Sequence, residues 1–190
     1  MTTPLYLADT ARRTFEATVT ERLTDPPRVV LDRTCFYPTG GGQPHDTGTL
    51  AAGGETWRVD DVTGRDRVVH ELDGDAPAEG ARVEGRVDEE RRRGHERGHT
   101  AQHLLSAVLL DEFDAETTGN QVYADRARID CAHPRFDDAD LARIEDRLTD
   151  LVAADLPVRW YERDRAEAER TLDAARTRLD LLPDAVTEVR

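Results

Sequence analysis

The sequence predicts an α+β protein: a small N-terminal β-barrel over residues 1–87, then an α/β domain over 88–190 whose helices pack on an antiparallel sheet. Three observations carry that expectation. Up to about residue 87, apolar residues recur at every second position in short segments cut by Gly, Pro and Asp, the pattern of half-buried strands in a barrel or sandwich. At Asp88 the period lengthens to that of a helix. Beyond it, helical and strand-like segments alternate, as in a sheet covered by helices.

Taken in order, Phe15–Thr20 alternates with period two and Arg28–Asp32 is a short apolar strand. Thr56–Val62 and Val68–Leu72 read as a pair joined at Gly64, and Ala81–Val87 closes the set. Asp88 caps a helix whose first turn carries Glu89 and Glu90, favourable at the positive end of the helix dipole. Gly94 and Gly98 each cost about 1 kcal/mol in a helix interior. A break or kink is therefore expected there, with an unbroken helix only from His99 to Phe113. Tyr123–Cys131 reads as a strand, and Asp137-Asp138 caps a second helix that buries Leu141, Ile144, Leu148, Leu151 and Val152. Pro157–Tyr161 is strand-like, Glu162–Leu179 is a third, charge-rich helix, and Val186–Val189 begins another strand.

The chain's 190 residues suit one large domain or two small ones. Mean hydropathy is -0.69, and no apolar run approaches the roughly 20 residues that span a bilayer. Met1-Thr2-Thr3-Pro4 lacks the basic and apolar regions of a secretory signal, and two cysteines, Cys35 and Cys131, make no disulfide framework. A reducing cytoplasm is the expected setting.

Charge is the outlying property. Forty acidic residues face 26 basic ones, for a net charge of -14, and every basic residue is arginine. The acid is spread through periodic, core-forming segments instead of being gathered in a disordered tail. This is the pattern of an acid-coated globular protein from a salt-rich cytoplasm, as in a halophilic archaeon. At about 1 M salt the Debye length is only about 3 Å, so self-repulsion is screened. The counterion-release term that normally penalises an acidic nucleic-acid binder shrinks as well, which leaves an RNA substrate open.

Two motifs carry chemistry. His99-Thr100-Ala101-Gln102-His103, running into an apolar stretch to Leu110, places two imidazoles at i and i+4 on one face of a helix, where they can share a metal ion. His95 continues the stripe but would lie about 12 Å from His103, so one ion cannot bind both, and His95 reads as structural or supporting. The other motif is Phe36-Tyr37-Pro38-Thr39-Gly40-Gly41-Gly42-Gln43-Pro44-His45-Asp46-Thr47-Gly48. Its glycines suit a tight loop approached closely by backbone or ligand, and with no Gly-Lys-Ser/Thr following it is not a nucleotide P-loop. Gly41-Gly42-Gln43 also matches the tripeptide of ribosome release factors, but nothing else in the chain supports a ribosome-binding factor.

Together, in this order and spacing, the two motifs resemble the stand-alone alanyl-tRNA editing proteins (AlaX), relatives of the editing domain of alanyl-tRNA synthetase, over essentially the whole chain. The threonyl-tRNA synthetase editing domain has a similar histidine helix but lacks the Gly-Gly-Gly-Gln loop. The resemblance implies hydrolysis of mischarged tRNA(Ala), chiefly carrying serine and also glycine, at a zinc site. It assigns the metal to His99 and His103, recognition of the serine hydroxyl to Thr39, and positioning of the loop or the tRNA terminus to Gln43. Gly40, Gly41, Gly42 and Asn120 fall to substrate binding, with Gln121 as a further polar catalytic residue. The implied partner is the acceptor end of tRNA(Ala), with no membrane and no obligate protein partner. Family members take two further zinc ligands from a C-terminal Cys-x-x-x-His element, and this chain stops at Arg190, before that point. Cys131 and His133, two residues apart before Pro134, read as a packed thiol and a surface histidine rather than as substitute ligands. The expectation is accordingly a truncated or degenerate form that binds zinc weakly and deacylates poorly, or a tRNA-binding remnant that has lost catalysis.

Overall fold

A computed structural model describes residues 1–158, 160–172 and 185–189. The expected α+β architecture is present. The chain forms two compact units, one made of residues 1–100 with 121–128 and the other of 101–120 with 129–190. Among the described residues no helix is long and apolar enough to cross a membrane.

The first unit is a closed antiparallel barrel. Thr3–Pro4 (β1) and Leu5–Ala8 (α1) lead into Thr14–Thr24 (β2), Pro27–Leu31 (β3) and Arg33–Thr34 (β4). Gly48–Ala52 (β5), Glu55–Thr63 (β6), Val69–Leu72 (β7) and Arg82–Val87 (β8) follow, and the barrel closes in the order β2-β3-β7-β6-β5-β8. Alternation decides which side chains fill it: Phe15, Ala17 and Val19 from β2 meet Val83 and Val87 from β8, with Val29, Leu31, Leu50, Val59 and Val62 between. The register of β6 on β7 shifts between Val59 and Asp61, a bulge that lets Val59 and Val62 both face inward although they are three residues apart.

The long helix Glu89–Phe113 (α2) runs without a break through Gly94 and Gly98, contrary to the expected kink. The reason is contact rather than flexibility. A Cβ on Gly94 would stand 2.2 Å from the carbonyl oxygen of Ala124, and one on Gly98 would stand 3.1 Å from Val122 Cγ1. The two glycines let the chain at 122–126 lie against the helix backbone, so their conformational cost is offset by packing.

Thr117–Val122 (β9) and Ala127–Cys131 (β10) form a two-stranded sheet, so the stretch expected as one strand from Tyr123 contains a turn and one strand. Asp138–Ala153 (α3) begins with the expected Asp137 cap, completed as a capping box by Asp140. Its Ile144, Leu148 and Leu151 pack with Val108, Leu109, Ile129 and Cys131 in the second unit's core. Leu141 and Val152, near the two ends of the helix, are instead exposed. Trp160–Asp164 (β11) pairs antiparallel with Ala185–Val189 (β12), and Arg165–Thr171 (α4) starts at an Asp164 cap. The expected third helix thus begins three residues later than Glu162, and its stretch from 173 on lies outside the described residues.

Candidate functional site

The glycine loop is a tight hairpin. Gly40 and Gln43 exchange both backbone hydrogen bonds at 3.0 Å, and the two residues between them, Gly41 and Gly42, have φ of +60° and +77°. A two-residue turn with positive φ at both central positions is the type I′ geometry that glycine adopts without strain. Val122 N–H donates to Gly42 O at 2.7 Å and Thr39 N–H to Val62 O at 3.0 Å, so the hairpin is pinned on both sides.

The root of the loop is held by a buried ion pair. Arg92, on the second turn of α2, donates from Nε to both oxygens of Asp46 at 3.1 and 3.0 Å, and from Nη2 to Cys35 O at 2.7 Å. Both side chains are essentially sealed from solvent, at 4% and 0% exposure. Burial alone would lower the Arg92 pKa, but the hydrogen bond to Asp46 and its charge raise it overall. Asp46 also accepts from Tyr37 N–H at 2.7 Å. Arg91 completes the anchorage, donating from Nε and Nη2 to His45 O at 3.1 and 3.0 Å.

This pair sets how α2 meets the loop, and the consequence is a direct contact between the two motifs. Nδ1 of His99 lies 3.1 Å from Oε1 of Gln43, whose side chain is almost fully buried. The amide oxygen can only accept, so Nδ1 of His99 is the donor in this contact, and in the neutral ring the lone pair then lies on Nε2. That is the tautomer in which a buried oxygen orients a metal-binding imidazole. His103 follows one turn later on the same helix and is exposed, and desolvation by the surrounding protein lowers its pKa. Lowering favours the neutral ring, the form that binds metal.

The remaining residues fall into place singly. Thr39 is exposed at the loop, with its hydroxyl beside His45. Asn120 Nδ2 donates to Oε1 of buried Gln102 at 3.0 Å, within the second unit. Gln121 Nε2 donates to Val122 O at 3.2 Å in the first. His95 is fully buried, with Nδ1 3.9 Å from Asp46 Oδ1, and burial, then the charge of Arg91, lowers its pKa. Cys131 packs into the apolar cluster and His133 stacks on Phe136 with ring centroids 4.3 Å apart. Among the described residues no three His, Cys, Asp or Glu side chains gather as a metal site.

Sequence reasoning missed the Asp46–Arg92 pair, Gln102, and the contact of His45 with Asp61. Asp46 and His45 lie inside the loop motif, but each partner comes from a different element, and no spacing rule connects them.

The chain is similar to proteins of known family. Residues 7–91 match the family described as tRNA synthetases class II (A). The whole chain aligns with alanyl-tRNA editing proteins AlaX-M of Methanosarcina barkeri, at 39% identity over 81% of that protein, and of Methanosarcina mazei, at 38% over 79%. The alanine–tRNA ligase of Pyrococcus abyssi is 38% identical over 89% of this chain, which is 19% of the ligase. These full-length alignments place the chain among translation-related editing proteins. The chain belongs to the alanyl-tRNA editing protein family.

Proposed function

We propose that this chain is a trans-editing hydrolase acting on tRNA(Ala) that carries the wrong amino acid, with Ser-tRNA(Ala) its principal substrate and Gly-tRNA(Ala) a second. A synthetase pocket shaped for alanine cannot reject amino acids this small by binding alone, so a separate hydrolytic site supplies the missing discrimination. The single observation that carries the reading is the bond from His99 to Gln43, because it joins the helix that would bind metal to the loop that would read the amino acid.

His99 and His103 fit zinc as neutral imidazoles, and zinc held there would supply Lewis acidity towards water or the ester carbonyl. The chain's own residues do the rest. Gln43 fixes the His99 ring, Thr39 meets the serine hydroxyl, and the Gly40–Gly42 hairpin gives the terminal ribose room to approach closely. Asn120, held by Gln102, and Gln121 offer amides to the acceptor end. The acidic, lysine-free composition suits a cytoplasm of high salt, where phosphate repulsion is screened.

The test is deacylation of Ser-tRNA(Ala) in molar salt with zinc. Loss of the seryl ester well above the spontaneous rate, abolished by His99→Ala, is expected. A rate equal to that of His99→Ala would defeat the proposal, and tRNA binding without turnover would mark a remnant that has lost catalysis.

A further inference from the structure

We infer that His45 and Asp61 fix the polarity of the Thr39 hydroxyl, making it a hydrogen-bond donor towards the substrate and so setting the preference for a hydroxylated amino acid. The inference rests on the reading of Thr39 given above. Nδ1 of His45 lies 3.0 Å from Asp61 Oδ1 and 3.2 Å from Thr39 Oγ1. The His45 backbone N–H also donates to Thr39 Oγ1, at 3.1 Å. An ionised carboxylate offers only lone pairs, so the nitrogen facing it carries a proton, whether the ring is neutral or charged. That nitrogen cannot then accept the Thr39 proton. With the backbone N–H also aimed at the oxygen, the hydroxyl proton must turn away from His45. Since Thr39 is exposed, it turns to the open side of the loop.

The fold holds this arrangement in place. The bulge between Val59 and Asp61 frees Asp61 from the inward parity it would share with Val59, leaving it half-exposed beside His45. Arg91 grips the His45 carbonyl from α2, and Thr39 N–H is bonded to Val62 O, one residue beyond Asp61. Loop and bulge therefore move together.

A donor of fixed polarity suits the discrimination an editing site must make. Serine presents an oxygen that accepts the bond, whereas alanine presents a methyl group and leaves the donor unmet. A site built around a hydrogen bond rejects the analogue lacking the partner far more strongly than shape alone rejects a small difference in size. His45 and Asp61 are positioning residues: they act through Thr39.

The experiment measures binding of stable 3′-amide analogues of seryl- and alanyl-adenosine to wild type, Asp61→Asn, His45→Phe and Thr39→Val. In Asp61→Asn the carboxamide can donate to Nδ1 and permit the opposite tautomer, so the Thr39 proton can turn back to the ring. The seryl-over-alanyl preference should fall about tenfold in both His45→Phe and Asp61→Asn, with the alanyl analogue binding unchanged within about twofold. Nitrogen-15 NMR of His45 should show a protonated Nδ1 in wild type and its loss in Asp61→Asn. A preference unmoved by these variants while Thr39→Val lowers it would overturn this inference alone. A preference unmoved by Thr39→Val as well defeats the reading of the loop, and this inference with it.

Discussion

Gln43 Oε1 lies 3.1 Å from Nδ1 of His99, a bond that joins the barrel's glycine hairpin to the long helix. Gln43 is almost fully buried, so its amide has little freedom to turn elsewhere. If the bond orients a zinc-binding imidazole, Gln43→Ala should weaken zinc binding about 10–100-fold. Competition against a chromophoric chelator reads this directly, and an unchanged affinity would show that the amide orders nothing.

The Asp46–Arg92 pair makes a prediction about stability. Removing one partner strands a buried charge, which typically costs about 3–5 kcal/mol, whereas replacing both with apolar residues of similar volume can be near neutral. Urea unfolding in molar salt should therefore show Asp46→Ala or Arg92→Ala far less stable than the double variant Asp46→Leu/Arg92→Met. Equal losses in the single and double variants would mean that the hydrogen bonds to Cys35 and Tyr37 matter more than the charge.

The two helix glycines should respond differently to alanine. Each substitution gains about 1 kcal/mol of helix propensity. At Gly94 the new methyl meets the backbone oxygen of Ala124 at 2.2 Å, an overlap that forces the turn away and typically costs about 1–3 kcal/mol or more. At Gly98 it meets Val122 Cγ1 at 3.1 Å, a milder contact that a shift of a few tenths of an ångström relieves. Gly94→Ala should lower the melting temperature and Gly98→Ala should leave it near that of wild type. The reverse order would place the tight contact elsewhere.

His70 gives the barrel an acid limb. It is wholly buried, with Nε2 2.9 Å from Thr34 Oγ1, and burial pushes its pKa down from 6.5 to about 4, only partly offset by a bond to the Val29 carbonyl. As pH falls below 6.5 the unfolded chain takes up the proton first, so this contribution is complete above 6.5 and is lost between about 6.5 and 4. The full loss amounts to about 3 kcal/mol. Unfolding free energies at pH 7 and 4.5 should differ more in wild type than in His70→Phe, since the carboxylates contribute alike to both. Parallel pH profiles would show that His70 does not titrate between the two states.

How much was legible in advance differs by element. Strands β2, β6 and β8 announce themselves because each alternates apolar and polar residues along most of its length, and β3 does so as a short apolar run. Strand β5, Gly-Thr-Leu-Ala-Ala, fully buries only Leu50 and leaves no such trace. Strand β9 buries Val122 alone, so its polar run Thr-Thr-Gly-Asn-Gln was invisible as a strand. Gly94 and Gly98 look like helix breakers, because a sequence records what a glycine costs but not the backbone lying against it.

The sequence by itself determined the α+β class, a tight loop at the glycines and the two histidines one helical turn apart, because each depends on side-chain periodicity or local backbone freedom. Tertiary structure alone decided that Gln43 meets His99, that Asp46 holds Arg92, and that a bulge brings Asp61 to His45 beneath Thr39. Those contacts join residues far apart along the chain. Their geometry is set by barrel closure and by helix packing, which no window of sequence contains.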